Sequence, residues 1–267
     1  MLTFPKVVYK NKFGLPDLAP LGTFKGQTIL ITGATGGLGL AAAAHFINLG
    51  AATVIITGRT AARGQTAKAE IERQRLDWHN WQRCVKKEVK SIDYVLLNAG
   101  MFPASLRLGK EEFEESIEIK EAGKGSAHLS VVTSGLHRGI DISPGKFPQQ
   151  DILTYWNKAE NFNKGTMYAI NKLLVQYCVR EIAKLAVSPD GTPQVIVNPM
   201  CPGMVKSDLG REYKTNFLIS AGVDAFMNLA MKSTEGGART LLLAALTTKA
   251  ENGKHFTNYQ SDEDYLK

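Results

Sequence analysis

Cysteine is scarce in this chain. Cys84, Cys178 and Cys201 are the only three in 267 residues. Their odd number and wide spacing exclude a disulfide framework and a cysteine-type metal site. A reducing, cytoplasmic setting is therefore expected. Long apolar runs are also missing, and none approaches the ~20 residues that a membrane span needs. The opening stretch MLTFPKVVYKNKFG lacks the apolar core of a secretory signal. Internal repeats and low-complexity segments are absent as well. No block of five or more basic residues occurs, although the net charge is +7. The nearest approach, Arg83, Lys86, Lys87 and Lys90, has the i, i+3, i+4, i+7 spacing of a solvated helix face. No nucleic-acid partner is expected from that. A basic chain does favour a polyanionic small ligand such as a phosphorylated dinucleotide.

What is present is an ordinary globular composition, 44% hydrophobic and 21% charged, long enough for one large α/β domain. Short apolar runs predict strands at 28–32, 52–57, 94–97, 129–133 and 195–198. Helical periodicity predicts helices at 37–49, 60–75, 165–186 and 236–245. The long helix 165–186 is expected to bury Leu173, Leu174, Tyr177, Cys178, Ile182 and Leu185. Strands alternating with helices imply a doubly wound parallel sheet, a Rossmann-type single domain over 26–267. Residues 1–25 read as an N-terminal arm, with turn signals at 14–16 and 20–22. In such sheets ligands bind at the carboxyl ends of the strands.

The first strand runs into Thr32-Gly33-Ala34-Thr35-Gly36-Gly37-Leu38-Gly39. A strand, a glycine turn and a helix start make the context that a nucleotide-binding turn requires. The glycines serve a tight turn, a close backbone approach to a pyrophosphate and helix–strand packing. Gly33, Gly37, Leu38 and Gly39 are the candidate phosphate positions, at the free N–H groups of a helix N-terminus. The second strand ends in Thr57-Gly58-Arg59. An acidic residue there would grip a ribose 2′-hydroxyl, whereas an arginine accommodates a 2′-phosphate. Arg59, with Arg63 four residues on, points to NADP. The alternative is a pair of surface arginines at a helix start.

Asn98-Ala99-Gly100 follows the strand 94–97 and would line the cofactor cleft, or simply turn the chain. Tyr168 and Lys172 are spaced i, i+4 and share a helical face. An ammonium near a phenol favours the phenolate and lowers a pKa that starts near 10. Such a tyrosine can exchange a proton with a carbonyl or alcohol oxygen. Ser134 ends the strand 129–133, where it could hold that oxygen or serve as a turn residue. Cys201-Pro202-Gly203-Met204-Val205-Lys206-Ser207 reads as a plain turn or as the floor of a nicotinamide pocket. In the second case the Val205 backbone and the Ser207 hydroxyl meet the carboxamide.

Taken together and in this order, TGATGGLG, NAG, Ser134, YAINK and NPMCPGMVKS resemble the short-chain dehydrogenase/reductase family over roughly residues 24–260. The resemblance implies catalytic roles for Ser134, Tyr168 and Lys172. Tyrosine is then the general acid/base. Lysine lowers its pKa and holds the ribose, and serine positions the substrate. It also places Asp77 at the adenine ring. SGLHRG (134–139), KSTEGGART (232–240) and GKHFTNYQSDEDY (253–265) look like the retinol-dehydrogenase-like branch, and more narrowly like fungal members of secondary-metabolite pathways.

The chain also departs from that family. No β-branched run follows the helix 60–75, so the strand that should present Asp77 is expected to be cut short. After NAG, the glutamate-rich KEEFEESIEIKEA (110–122) reads as an exposed helix where a buried crossover helix is expected. No asparagine lies between Asn98 and Asn157, so the family's fourth catalytic group has no counterpart there. A tolerant lineage, a gene-model error and a degenerate paralogue each account for this. The apolar stretch within 212–231 (Phe217, Leu218, Ile219, Val223, Phe226, Met227, Leu229, Met231) occupies the position of the family's substrate lid. It suggests a hydrophobic small-molecule substrate, or else ordinary core or a dimer interface. The main expectation is an NADP(H)-dependent oxidoreductase interconverting a carbonyl and an alcohol. A catalytically impaired dinucleotide-binding regulator or scaffold is the alternative, and a dehydratase or epimerase on the same fold is a second. A homo-oligomer is among the assembly states left open.

Overall fold

The computed structural model describes residues 4–73, 91–100, 128–207, 209, 217–258 and 260–265. Its centre is a sheet of short strands: β1 (Thr28–Ile31), β2 (Thr53–Ile56), β3 (Tyr94–Leu97), β4 (His128–Val132), β5 (Ile196–Cys201), β6 (Phe256–Thr257) and β7 (Gln260–Ser261). Among the described residues the order is β2-β1-β3-β4-β5-β6-β7. The pairs from β2 through β6 are parallel and only β7 is antiparallel.

Parallel strands need crossovers, and these put helices on both faces. On one face lie α2 (Gly37–Asn48) and α7 (Thr234–Ala244). Ala42, Ala43 and Phe46 of α2 join Ala238 and Leu241 of α7 over Ile29, Ile31 and Leu96, all fully buried. The other face is covered by α5 (Met167–Leu185), whose Val175, Val179 and Ala183 pack on Val95, Leu129, Val131 and Val197. A strand with a helix-bound layer on each side must be apolar on both, and β3 and β5 are buried along nearly their whole length. The doubly wound reading therefore holds.

Two expectations are corrected. Ile170, Leu173, Leu174, Val175, Val179 and Ala183 form the buried side of α5. Cys178 is exposed, as is Ile182, and Leu185 is 84% exposed. The helix is apolar on more of its circumference than the sheet can cover, so its periodicity alone left the buried stripe undecided. The stretch 1–25 is more than an arm with turns: α1 (Phe4–Phe13) is helical. The turn expected at 20–22 is present, with Gly22 at φ +85° and Lys25 donating to the Gly22 carbonyl. The remaining helices are α3 (Ala61–Arg73), the single turn α4 (Ile152–Trp156), α6 (Phe217–Ala230) and the terminal turn α8 (Asp262–Tyr265).

Asp77 and the Arg83–Lys90 stripe lie outside the described residues, as do the shortened strand and the glutamate-rich segment 110–122. No helix among the described residues is long and apolar enough to cross a membrane.

Candidate active site

The chain reverses its winding between β1 and β3, where β1 is flanked by β2 on one side and β3 on the other. A crevice opens at the carboxyl ends of such a pair. Thr32 and Asn98 lock its two rims together. The Thr32 hydroxyl accepts from the Asn98 and Ala99 N–H groups at 3.0 and 3.1 Å. The Asn98 amide donates to the Thr32 carbonyl at 3.0 Å and to that of Gly33 at 3.4 Å. This fixes why the turn needs glycine. Gly33 sits at φ +64°, and a Cβ there would lie 2.9 Å from Ala99 Cα. A Cβ on Gly39 would lie 2.6 Å from the Asn98 amide nitrogen and 2.9 Å from backbone atoms of Gly33 and Ala34. Gly37, at φ +56°, faces open space, and no side chain caps the N-terminus of α2. A backbone cradle with unfilled space above it and uncapped N–H groups fits a pyrophosphate.

Arg59 lies in the bend after β2, and Arg63 in the first turn of α3. Both are exposed, and neither is ion-paired among the described residues. Gly58 lets this bend press against the Thr35 side chain, which a Cβ would strike.

Tyr168 stands in the first turn of α5, 7% exposed, and Ser134, two residues past β4, is the N-cap of the 3₁₀ turn Gly135–Gly139. Their hydroxyls are hydrogen-bonded to each other. Burial pushes the Tyr168 phenol up to about 12, nearby Cys201 adds to this, and the Ser134 bond opposes it. Lys172, one turn on, donates to the Val132 carbonyl at 2.9 Å and has its ammonium 5.7 Å from the Tyr168 ring centre. Burial lowers it to about 8, with Cys201 opposing. Desolvation thus dominates at the tyrosine, against the lowering expected from its spacing to lysine. A Cβ on Gly100 would lie 3.7 Å from the Lys172 ammonium, so the Asn98-Ala99-Gly100 turn closes over the same point.

The fourth side is the loop from Cys201 to Ser207. Its segment 204–206 runs beside Lys232, with Val205 paired to Lys232 and Lys206 N–H donating to the Lys232 carbonyl at 2.9 Å. Val205 packs against Gly237 of α7, where a Cβ would come within 2.7 Å of it and 2.6 Å of Leu38. The small residues of KSTEGGART therefore bring α7 up to both Leu38 and Val205. Ser207 accepts from Leu209 N–H at 3.4 Å. A cavity of about 470 Å³ opens between α2 and this loop, touching Gly37 and Ser207 but none of Ser134, Tyr168 and Lys172.

Sequence reasoning missed the network behind Ser134. Arg138 and His255 both engage the Asp262 carboxylate, and His255 Nε2 lies 2.9 Å from the Thr133 hydroxyl. Burial raises the Asp262 carboxyl, but the bonds from His255 and Arg138 outweigh this and hold it far below the usual carboxylate range. His137 Nδ1 meets the Ser134 carbonyl at 2.6 Å. The signal was legible only as a shared motif in 253–265. In α6, Met227 and Ala230 are buried while Phe226 and Leu229 are exposed. The side chains of Phe217, Leu218, Ile219 and Val223 lie outside the described residues.

The sheet thus carries a glycine turn at its switch point, with the Ser–Tyr pair beside a lysine at the same crevice. The family model for short chain dehydrogenase matches residues 27–124. A short-chain dehydrogenase/reductase of Phaeosphaeria nodorum (phmF) is 32% identical over 277 positions, covering 89% of this chain and 78% of that protein. One from Aspergillus flavipes (ffsI) is 30% identical, with 89% and 78% covered. A short chain dehydrogenase from Burkholderia cenocepacia, solved in complex with NADP, shares the fold at a TM-score of 0.57 and 17% identity, over 88% of this chain and 96% of that one. The chain belongs to the short-chain dehydrogenase/reductase family. The alignment with the Phaeosphaeria protein has more positions than this chain has residues, so that relative carries residues with no counterpart here.

Proposed function

We propose that this chain is an NADP(H)-dependent oxidoreductase that interconverts a carbonyl and an alcohol on a hydrophobic small molecule. The observation that carries the reading is the hydrogen-bonded Ser134–Tyr168 pair, with Lys172 one turn away, at the mouth of the switch-point crevice. Gly33, Gly37, Leu38 and Gly39 would hold the pyrophosphate, and Asn98 the rim. Arg59 takes the 2′-phosphate, Lys172 the ribose, and Val205 with Ser207 the carboxamide. Asp77 is assigned to the adenine. A bound nicotinamide supplies or accepts a hydride. Tyr168 exchanges a proton with the substrate oxygen, which the Ser134 hydroxyl holds in place. At neutral pH a phenol at about 12 keeps its proton, the state required to protonate a carbonyl oxygen during reduction. The ammonium of Lys172 stabilises the phenolate left behind.

The exposed Phe226 and Leu229 of α6, the helix that follows the 201–207 loop, support an apolar substrate. The motifs in 134–139, 232–240 and 253–265 support placement in the retinol-dehydrogenase-like branch. The fungal origin of the two relatives fits a role in secondary metabolism, in a cytoplasmic setting. The exposed strip Cys178, Ile182 and Leu185 is a candidate homo-oligomer contact.

The test is NADPH-dependent reduction of apolar ketones, followed by loss of the nicotinamide absorbance, for the parent chain and Tyr168→Phe. General acid–base catalysis is worth about 10²–10⁴-fold, so the variant should lose about that much turnover while binding NADPH as before. Tight NADPH binding without turnover in the parent chain would instead favour a regulator or scaffold.

A further inference from the structure

We propose that Asn11, on α1, is a positioning residue that sets the nicotinamide-side loop 203–207 for cofactor binding. The inference rests on the assignment of that loop to the carboxamide. The Asn11 side chain is 1% exposed, on a helix that otherwise shows large apolar groups to solvent: Tyr9 is 66% and Phe13 67% exposed. Val7 and Val8 are half-buried, and Asn11 is the one buried side chain among the described side chains of α1. What the helix buries is an amide, and a buried amide must be matched bond for bond.

The matching is complete on the loop side. Asn11 Oδ1 accepts from Met204 N–H at 2.9 Å, and Asn11 Nδ2 donates to the Met204 carbonyl at 2.8 Å. The second amide hydrogen reaches the Ala230 carbonyl at the end of α6, at 3.3 Å. Asn11 thus pairs with Met204 as a neighbouring strand would. The same segment is also paired with Lys232, whose N–H donates to the Met204 carbonyl at 3.1 Å, so Asn11 and Lys232 share that acceptor. Asn11 and Lys232 together hold Met204–Lys206. Gly203, at φ +79°, makes the entry turn, and a Cβ there would run into the side-chain oxygens of both Asn11 and Asn258. The arm is fastened twice more: Lys12 donates to the Asn228 and Leu229 carbonyls at 2.6 and 3.0 Å, and Arg239 to the Pro16 carbonyl at 2.9 Å. Without Asn11 the half-buried Met204 N–H loses its acceptor. The segment must then shift to find water, carrying Val205 and Ser207 with it.

The experiment compares binding of NADPH with binding of adenosine 2′,5′-bisphosphate, a fragment with no nicotinamide, to the parent chain, Asn11→Ala and Lys12→Ala. Losing buried hydrogen bonds of this kind is worth about tenfold in affinity. Asn11→Ala should weaken NADPH by about that factor and leave the fragment within about twofold. Lys12→Ala, which loosens α1 from α6 without touching Met204, should leave both ligands near parental affinity. Equal losses for both ligands in Asn11→Ala would overturn the proposal, as would an effect of Lys12→Ala equal to that of Asn11→Ala, or unchanged NADPH affinity. Fragment binding as tight as NADPH in the parent chain would overturn the assignment of the loop itself, and the proposal with it.

Discussion

Burial acts on Tyr168 and Lys172 in opposite directions: it keeps a proton on the phenol and eases one off the ammonium. Both shifts favour the uncharged forms, and they move the two groups apart in acidity, so the phenol holds its proton more firmly than it would in water. Arg59 faces a simpler task. It is exposed and not ion-paired among the described residues, so the proposed contact with a 2′-phosphate would break no existing ion pair. Replacing it by alanine should weaken NADPH about tenfold, or ~1.4 kcal/mol, and leave NADH unchanged. Titration of both cofactors checks this, and equal effects on the two would remove Arg59 from the cofactor site. At this scale much of the site was legible from types and spacing. The glycine turn, Asn98, Ser134, Tyr168 and Lys172 are brought to one crevice. Asn11 was not legible, because nothing local marks an asparagine in a lysine-rich helix as the partner of residue 204.

Among the elements, the tightest demand falls where α2 leaves the glycine turn. Gly39→Ala would press a methyl group on the Asn98 amide and on the backbone of Gly33 and Ala34. None of these is the free end of a flexible side chain, so the expected cost is about 1–3 kcal/mol, read as a lowered midpoint in urea, together with weaker dinucleotide binding. The strands were readable because buried parallel strands are short apolar runs: the predicted 28–32, 94–97 and 195–198 became Thr28–Ile31, Tyr94–Leu97 and Ile196–Cys201. The predicted helix 236–245 is α7, begun two residues earlier by Ser233, whose hydroxyl accepts from Gly236 N–H. β6 and β7 were invisible, because two residues carry no period. Asn198 also hid its part. It looked like the end of a strand, yet it is fully buried inside β5, its amide donating to the Glu251 and Lys254 carbonyls and its oxygen accepting from the Thr247 hydroxyl. That asparagine holds the chain's last hairpin against the sheet, a long-range role no local pattern reveals.

Over the whole molecule, two buried ammonium groups leave a signature in stability. Lys172 and Lys232 are each lowered by burial from 10.5 to about 8. Between those values the unfolded chain binds more protons than the folded one, so their contribution to stability rises with pH from about 8 to about 10.5 and falls away below. Above pH 10 the raised phenol of Tyr168 acts the other way, because the folded chain then keeps a proton that the unfolded chain has lost. Lys232→Met should flatten the gain in thermal midpoint between pH 8 and pH 10, and a slope equal to that of the parent chain would show that Lys232 is not desolvated. The pairing of Asn11 with Met204 has a last consequence, in time. The two residues are separated by 193 positions, which a ribosome working at about 5–20 residues per second needs on the order of tens of seconds to traverse. Throughout that interval the nascent α1 has no loop to grip, so the Asn11 pairing with the 203–207 loop takes shape only once most of the chain has been made.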